Sequence, residues 1–181
     1  WLRAWIATND LLGGSGASGG FNSGTGVVDA ATNGTQRAFT KALLDQAIQA
    51  SFNAGGKPEV LMVSNYVKTV FSSFMSDSNV IAQRRVAKDS DGAGQRILAS
   101  ADEYQSDFGL ITVVPNTQMT RAGATIARNA FLLQKDKLAL GTLRPIQEDD
   151  PAKTGDARPG VLKTEYALIV KNEAALACIA D

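Results

Sequence analysis

The tail of the chain, KTGDARPGVLKTEYALIVKNEAALACIAD from Lys153 to Asp181, constrains the fold more than any other stretch. From Val161 to Lys171 the side chains alternate. Leu162, Tyr166, Leu168 and Val170 fall on one face with Thr164, and Val161, Lys163, Glu165, Ala167 and Ile169 fall on the other. Period-two alternation with two charges on the second face predicts a strand buried on one side and partly wetted on the other. Asn172 and Glu173 interrupt it, and Ala174 to Ala180 resumes as a wholly apolar segment. A long strand, a turn or bulge, and a second apolar strand need pairing partners from earlier in the chain. The tail is therefore expected to be tied into a core that the preceding residues build.

A chain of 181 residues, 44% hydrophobic and 20% charged, suits one domain or two small ones. Its 18 basic and 18 acidic residues cancel, which argues against an affinity resting on a general phosphate field. The single cysteine, Cys178, lies inside an apolar segment, the usage of a reducing compartment rather than of a disulfide framework. No apolar run approaches the ~20 residues of a membrane span. No secretory signal is legible. The opening WLRAWI, without an initiator methionine, leads us to expect a fragment or processed product of a longer polypeptide.

Taken in order, Trp1 to Ala7 reads as a short helix end or an extended lead-in. Thr8 to Gly34, with GGSGASGG and FNSGTG, loses all periodicity, and glycine and serine at this density predict a mobile loop or linker. Mobility over Ala17 to Gly34, or order supplied only by a neighbouring subunit, is the expectation. Order returns with Thr40 as a helix N-cap and Leu43, Leu44, Ala47, Ile48, Ser51 and Phe52 at helical spacing, stopped by Gly55-Gly56. Glu59 to Val63 reads as a short interior strand. Ser64 or Asn65 then caps a second helix with the stripe Val67, Val70, Phe71, Phe74 and Met75. Helix, buried strand and helix begin an α/β layer. Leu43, Leu44, Ile48, Val60, Met62, Val70, Phe71, Phe74, Ile111 and Val113 are expected to form one core between helices and sheet.

From Val80 short strands take over. Ile81 to Val86 and Ile97 to Tyr104 flank a KDSDGAG loop as an exposed hairpin, and Phe108 to Pro115 is the strongest strand of the middle region. A polar stretch, Thr117 to Thr125, leads to strands at Asn129 to Gln134 and Leu138 to Leu143. Lys135-Asp136 turns between those two, and Arg144-Pro145 closes the second. The loose, acidic QEDDPAKTGDARPG separates it from the tail.

Chemistry is sparse. Without histidine the commonest general base and metal ligand are missing, and one buried cysteine cannot form the usual thiolate pair. Asp89 and Asp91 with Gly92 lack the rest of a calcium loop. Glu148-Asp149-Asp150 before a proline reads as a solvated turn rather than an ion site, and the glycine-rich stretch lacks the order of a phosphate loop. Arg84, Arg85 and Lys88, with Arg96 across the hairpin, form the best basic cluster. Its reading is solubility on a strand edge in preference to a phosphate contact. No catalytic, cofactor-binding or metal-binding residue is assigned, and no cofactor.

Several stretches nevertheless resemble one family. DFGLITVVPN (Asp107 to Asn116), AFLLQKDKLALGTLRP (Ala130 to Pro145), AKTGD (Ala152 to Asp156) and EYALIVKNEAA (Glu165 to Ala175) are similar, in this order, to the C-terminal half of tailed-phage major capsid proteins. The likeness is to the podophage type within the Hong Kong 97 shell-fold class. AWIATN (Ala4 to Asn9), GTQRAFT (Gly34 to Thr40) and AGGKPEVLMVSNYVKTVFSSF (Ala54 to Phe74) resemble the same family upstream, so the resemblance spans nearly the whole chain.

The resemblance implies an α+β fold: a mixed sheet flanked by helices, the capsid A-domain, plus a long-stranded portion of the P-domain. On that comparison 1–35 is lead-in and loop, 36–143 is A-domain-like, and 144–181 is linker and P-domain-like strands. The family's N-terminal arm, extended loop and spine helix have no counterpart in these residues. The implied role is a non-enzymatic structural subunit of an icosahedral phage or prophage head that self-assembles around double-stranded DNA. The implied partners are other copies of the protein, in hexamers and pentamers. The resemblance also leaves room for a scaffolding protein and for weak, non-specific contact with packaged DNA, with no membrane partner. The implied location is the virion, after assembly in the host cytoplasm. The alternative reading is a soluble α+β domain that binds a small ligand or peptide, with the glycine-rich loop as a lid.

Overall fold

A computed structural model describes residues 2–74, 102–149, 155–156 and 160–181. Its centre is a six-stranded mixed sheet in the order β1-β10-β7-β4-β6-β5. The strands are β1 (Asp10–Leu12), β4 (Val60–Val63), β5 (Glu103–Ser106), β6 (Gly109–Pro115), β7 (Ala130–Leu133) and β10 (Ala177–Ala180). β1 with β10 and β4 with β6 are parallel, and the other neighbours are antiparallel. Two small antiparallel pairs stand outside this sheet: β2 (Gly20–Asn22) with β3 (Val27–Asp29), and β8 (Leu138–Asp149) with β9 (Val161–Val170).

The first long helix, α2 (Lys41–Asn53), starts where the cap chemistry predicts. The Thr40 side chain accepts from Leu43 N–H, and Gly55 at φ 80° turns the chain away at the other end. α3 (Asn65–Phe74) is capped by Ser64, whose hydroxyl oxygen accepts from Val67 N–H at 3.2 Å. Both helices cover one face of the sheet. There Leu44, Ile48, Val67 and Phe71 meet Leu61, Val63, Ile111, Val113, Leu132 and Ile179 in one buried cluster. The alternating residues of β7 and β10 point the other way. Phe131, Cys178 and Ala180 join Ile6, Met119 and Leu176 in a second cluster beneath α1 (Leu2–Trp5) and α4 (Thr117–Arg121).

The expected single core is thus two cores, one on each face of the sheet. Met62 belongs to the second, and Leu43, Val70 and Phe74 border the first. The tail is tied in as expected, with Ala177 to Ala180 wholly buried between β1 and β7.

Three expectations are corrected. Thr8 to Gly34 is built rather than slack: Asp10 to Leu12 pairs with the tail, β2 and β3 form a hairpin, and Ala17 bridges Thr32. Its glycines let backbones touch. A Cβ on Gly13 would stand 2.0 Å from the Thr35 carbonyl oxygen, and one on Gly19 2.3 Å from that of Ala4. The strand from Leu138 does not close at Arg144-Pro145 but continues to Asp149. It passes the proline through two register shifts, so Glu148 and Asp149 lie in a strand and not in a turn. The polar stretch after Asn116 holds a short helix capped by the Asn116 side chain. Met75, the Ile81 to Val86 and Ile97 to Tyr104 hairpin (apart from its last residues), Asp89, Asp91 and the Arg84, Arg85, Lys88 and Arg96 cluster lie outside the described residues.

Candidate assembly surface

The feature that stands apart is the β8–β9 ribbon. Its root is anchored in the second core: Leu138 and Val170 pack there, and Lys171 N–H donates to the Lys137 carbonyl at 2.9 Å. Beyond the root, no strand outside the pair joins it among the described residues. The predicted division of faces holds. Leu138 lies opposite Val170, Leu140 opposite Leu168, Thr142 opposite Tyr166 and Glu148 opposite Leu162, and directly opposed residues share a face. That face is apolar apart from two threonines and one acid near the tip.

The reverse face carries charge. Arg144 Nε lies 3.3 Å from Glu165 Oε2, and Lys163 pairs with Asp149. Here the expectation of a strand buried on one side is overturned: β9 is exposed along both faces, with Leu162 75% and Tyr166 67% accessible, and Leu140 on β8 68%. The cause is architectural. A two-stranded ribbon has no second layer of its own, so an amphipathic pattern written for burial is left uncovered among the described residues.

The ribbon leaves the body between two rigid joints. At one, residues Lys135–Lys137 form a short 3-10 turn. At the other, residues Glu173–Ala175 do the same, and the Glu173 carboxylate accepts from Ala7 N–H, Thr8 N–H and the Thr8 hydroxyl. Burial alone would raise that carboxyl, but these three donors outweigh it and hold it below the ordinary glutamate value. Ser51 and Asn9 secure the same joint by donating to the carbonyls of Ala175 and Ala174. Beside the root lies an open hollow of about 650 Å³ bordered by Trp5, Phe21, Lys171 and Glu173. Phe21 at the β2–β3 hairpin is a second exposed apolar group, 61% accessible.

Elsewhere several polar groups pair with one another. Asp10 and Arg3 form a buried pair; burial raises the Asp10 carboxyl and Arg3 opposes this. Arg37 pairs with the buried Asp181 at 2.7 Å. A hollow of about 420 Å³ between α2 and β5 is lined by Lys41, Asp45, Gln49, Tyr104 and Phe108. Two of its charges pair with each other: Lys41 Nζ donates to Asp45 at 2.6 Å, and the Tyr104 hydroxyl donates to Asp45 at 2.6 Å. Burial pushes the Cys178 thiol well above its usual range, so it is not a thiolate. Among the described residues no three His, Cys, Asp or Glu side chains gather as a metal set, and no helix is long and apolar enough to cross a membrane.

The described residues thus form an α/β body with an anchored ribbon whose apolar face has no cover among them. The model of the SU10 major capsid protein family matches residues 2–181, and the chain belongs to that family. It is a structural subunit of a phage head, and it associates with other copies of itself in the shell. Curated proteins supply no match. The ligand-binding alternative gives way to this assignment.

Proposed function

We propose that the chain works in the head purely by association, as the Hong Kong 97-like portion of an icosahedral shell around double-stranded DNA, and that the β8–β9 ribbon is its main self-association element. In this reading 36–143 forms the A-domain-like layer, entered through 1–35. Residues 144–181 supply the P-domain-like strands, with β10 returning the tail to the A-domain sheet. The observation that carries the reading is the ribbon's exposed apolar face, held rigidly at its root. Many copies multiply a weak contact of this kind through closed symmetry. A chain with no net charge neutralises few phosphates, which suits weak, non-specific contact with packaged DNA. Assembly in the host cytoplasm, with or without a scaffolding protein, belongs to the same proposal.

The test is to substitute Leu140→Lys and Leu162→Lys together in the full capsid polypeptide. Both side chains are solvent-exposed, so circular dichroism and the melting temperature of the free subunit should stay within a few degrees of the parent. Closed particles seen by electron microscopy should be lost. Particles formed at parental yield by the doubly charged variant would remove the ribbon from the assembly surface.

A further inference from the structure

The ribbon has two outer edges, and they differ. β8 carries Gly141, Pro145 and two register shifts between Thr142 and Gln147, so its outer edge is irregular and one donor is missing. β9 runs ten residues from Val161 to Val170 without glycine, proline or a bulge of its own. The edge strands of the six-stranded sheet, among the described residues, are shorter, β1 with three residues and β5 with four. Because Lys171 N–H is turned to β8, the even-numbered groups of β9 (Leu162, Thr164, Tyr166 and Leu168) turn their N–H and C=O to the open edge. Among the described residues this edge is regular and has no partner strand.

We propose, on the reading of the chain as a self-associating capsid subunit, that β9 pairs antiparallel with β9 of a second copy about a two-fold axis through Thr164. A symmetric antiparallel pair must be centred on a residue if both apolar faces are to lie on the same side, since a one-residue slip inverts every side chain. Of the possible centres, Lys163 and Glu165 each place a like charge against its own copy. A centre on Tyr166 sets Lys163 against Ile169 and Thr164 against Leu168. Centring on Thr164 sets Lys163 against Glu165 of the second copy, Leu162 against Tyr166, and Thr164 against itself, pairings that antiparallel sheets favour. The charged row then runs across four strands with alternating sign: Arg144, Glu165, and Lys163 and Asp149 of the second copy. The apolar faces merge into one continuous surface. The second copy is the occupant that this charge pattern fits.

Two measurements on the full capsid polypeptide test the pairing. The first is a cysteine scan, with single substitutions Lys163→Cys, Thr164→Cys, Glu165→Cys and Tyr166→Cys in assembled material under mild oxidation. Only Thr164→Cys should give a disulfide-linked dimer, because an opposed hydrogen-bonded pair has a Cα separation of about 5.5 Å, within disulfide reach. The second is charge exchange. Lys163→Glu alone and Glu165→Lys alone each create like-charge pairs across the axis and should weaken dimerisation at least tenfold in sedimentation. An equimolar mixture of the two should restore it by forming the mixed dimer. Assembly that persists while cross-linking moves to Lys163→Cys, Glu165→Cys or Tyr166→Cys, or appears at none of the four, overturns this pairing and leaves the capsid reading intact. Absence of any association in the parent overturns both.

Discussion

Replacing Phe71 by alanine tests the packing that holds the body of the subunit together. The side chain is 1% exposed and sits where α3 meets the sheet. Its ring meets Phe74 edge-on at 5.9 Å and Tyr104 at 6.0 Å. Truncating a buried phenylalanine costs about 3–5 kcal/mol. Two aromatic pairs worth ~0.5–1.5 kcal/mol each are lost with it, which puts the expected cost in the upper half of that range. Against a total stability of roughly 5–15 kcal/mol this is a large fraction. With a urea slope of about 2 kcal/mol per M, the midpoint should fall by about 2 M at unchanged slope. Phe52 provides the control: it is 48% exposed and its ring lies tilted against Phe108 at 4.7 Å, so Phe52→Ala should cost only about 0.5–1.5 kcal/mol. Equal midpoint shifts for the two variants, or a shift below about 0.5 M for Phe71→Ala, would refute the placement of α3 on the sheet.

Two further substitutions probe the parts that periodicity did not reveal. Gly13→Ala should destabilise by at least about 1–3 kcal/mol, because the new Cβ meets backbone that cannot yield, whereas Gly14→Ala, 3.8 Å from the Thr35 hydroxyl, should be close to neutral in the same denaturant melt. Glu173 has a folded-state pKa below its ordinary 4.5, so its stabilisation is complete above that value and is lost as the pH falls through the lower folded value. Glu173→Gln should therefore be less stable than the parent at neutral pH and should flatten the acid limb of stability against pH; parallel acid limbs would exclude the role given to this carboxylate.

The elements that the sequence made legible are those whose signals are local. Thr40, Gly55 and the leucines of α2 mark a helix whatever surrounds it, and the apolar run from Phe108, ended at Pro115, marks a strand. The strands inside the glycine-rich stretch were missed because glycine there serves backbone contact across distant segments, Gly13 to Thr35 and Gly19 to Ala4, and contact of that kind leaves no periodic trace. Pro145 reads as a stop because it breaks a ladder, yet β8 survives it by bulging at an edge where, among the described residues, no third strand needs a donor. The faces of β9 were read correctly, but their burial was not. Alternation records which side is apolar, and what covers that side is not written in the strand itself.

The placement of β10 bears on how the subunit is made. It lies between β1 and β7, with Asp10 opposite Cys178 and Phe131 opposite Cys178 on the other side. β1 precedes β7 in the chain and β10 follows both, so the two flanking strands cannot be joined until the chain has emerged through Ala180. The sheet is therefore locked by long-range closure, the slow kind of folding contact. A nascent or truncated subunit keeps its sheet divided, with Ile6 and Leu61 on separate halves. The rigid joint at Glu173, and with it a correctly aimed ribbon, exists only once the chain is complete through this strand. Synthesis itself thus delays the moment at which a subunit can engage its neighbours.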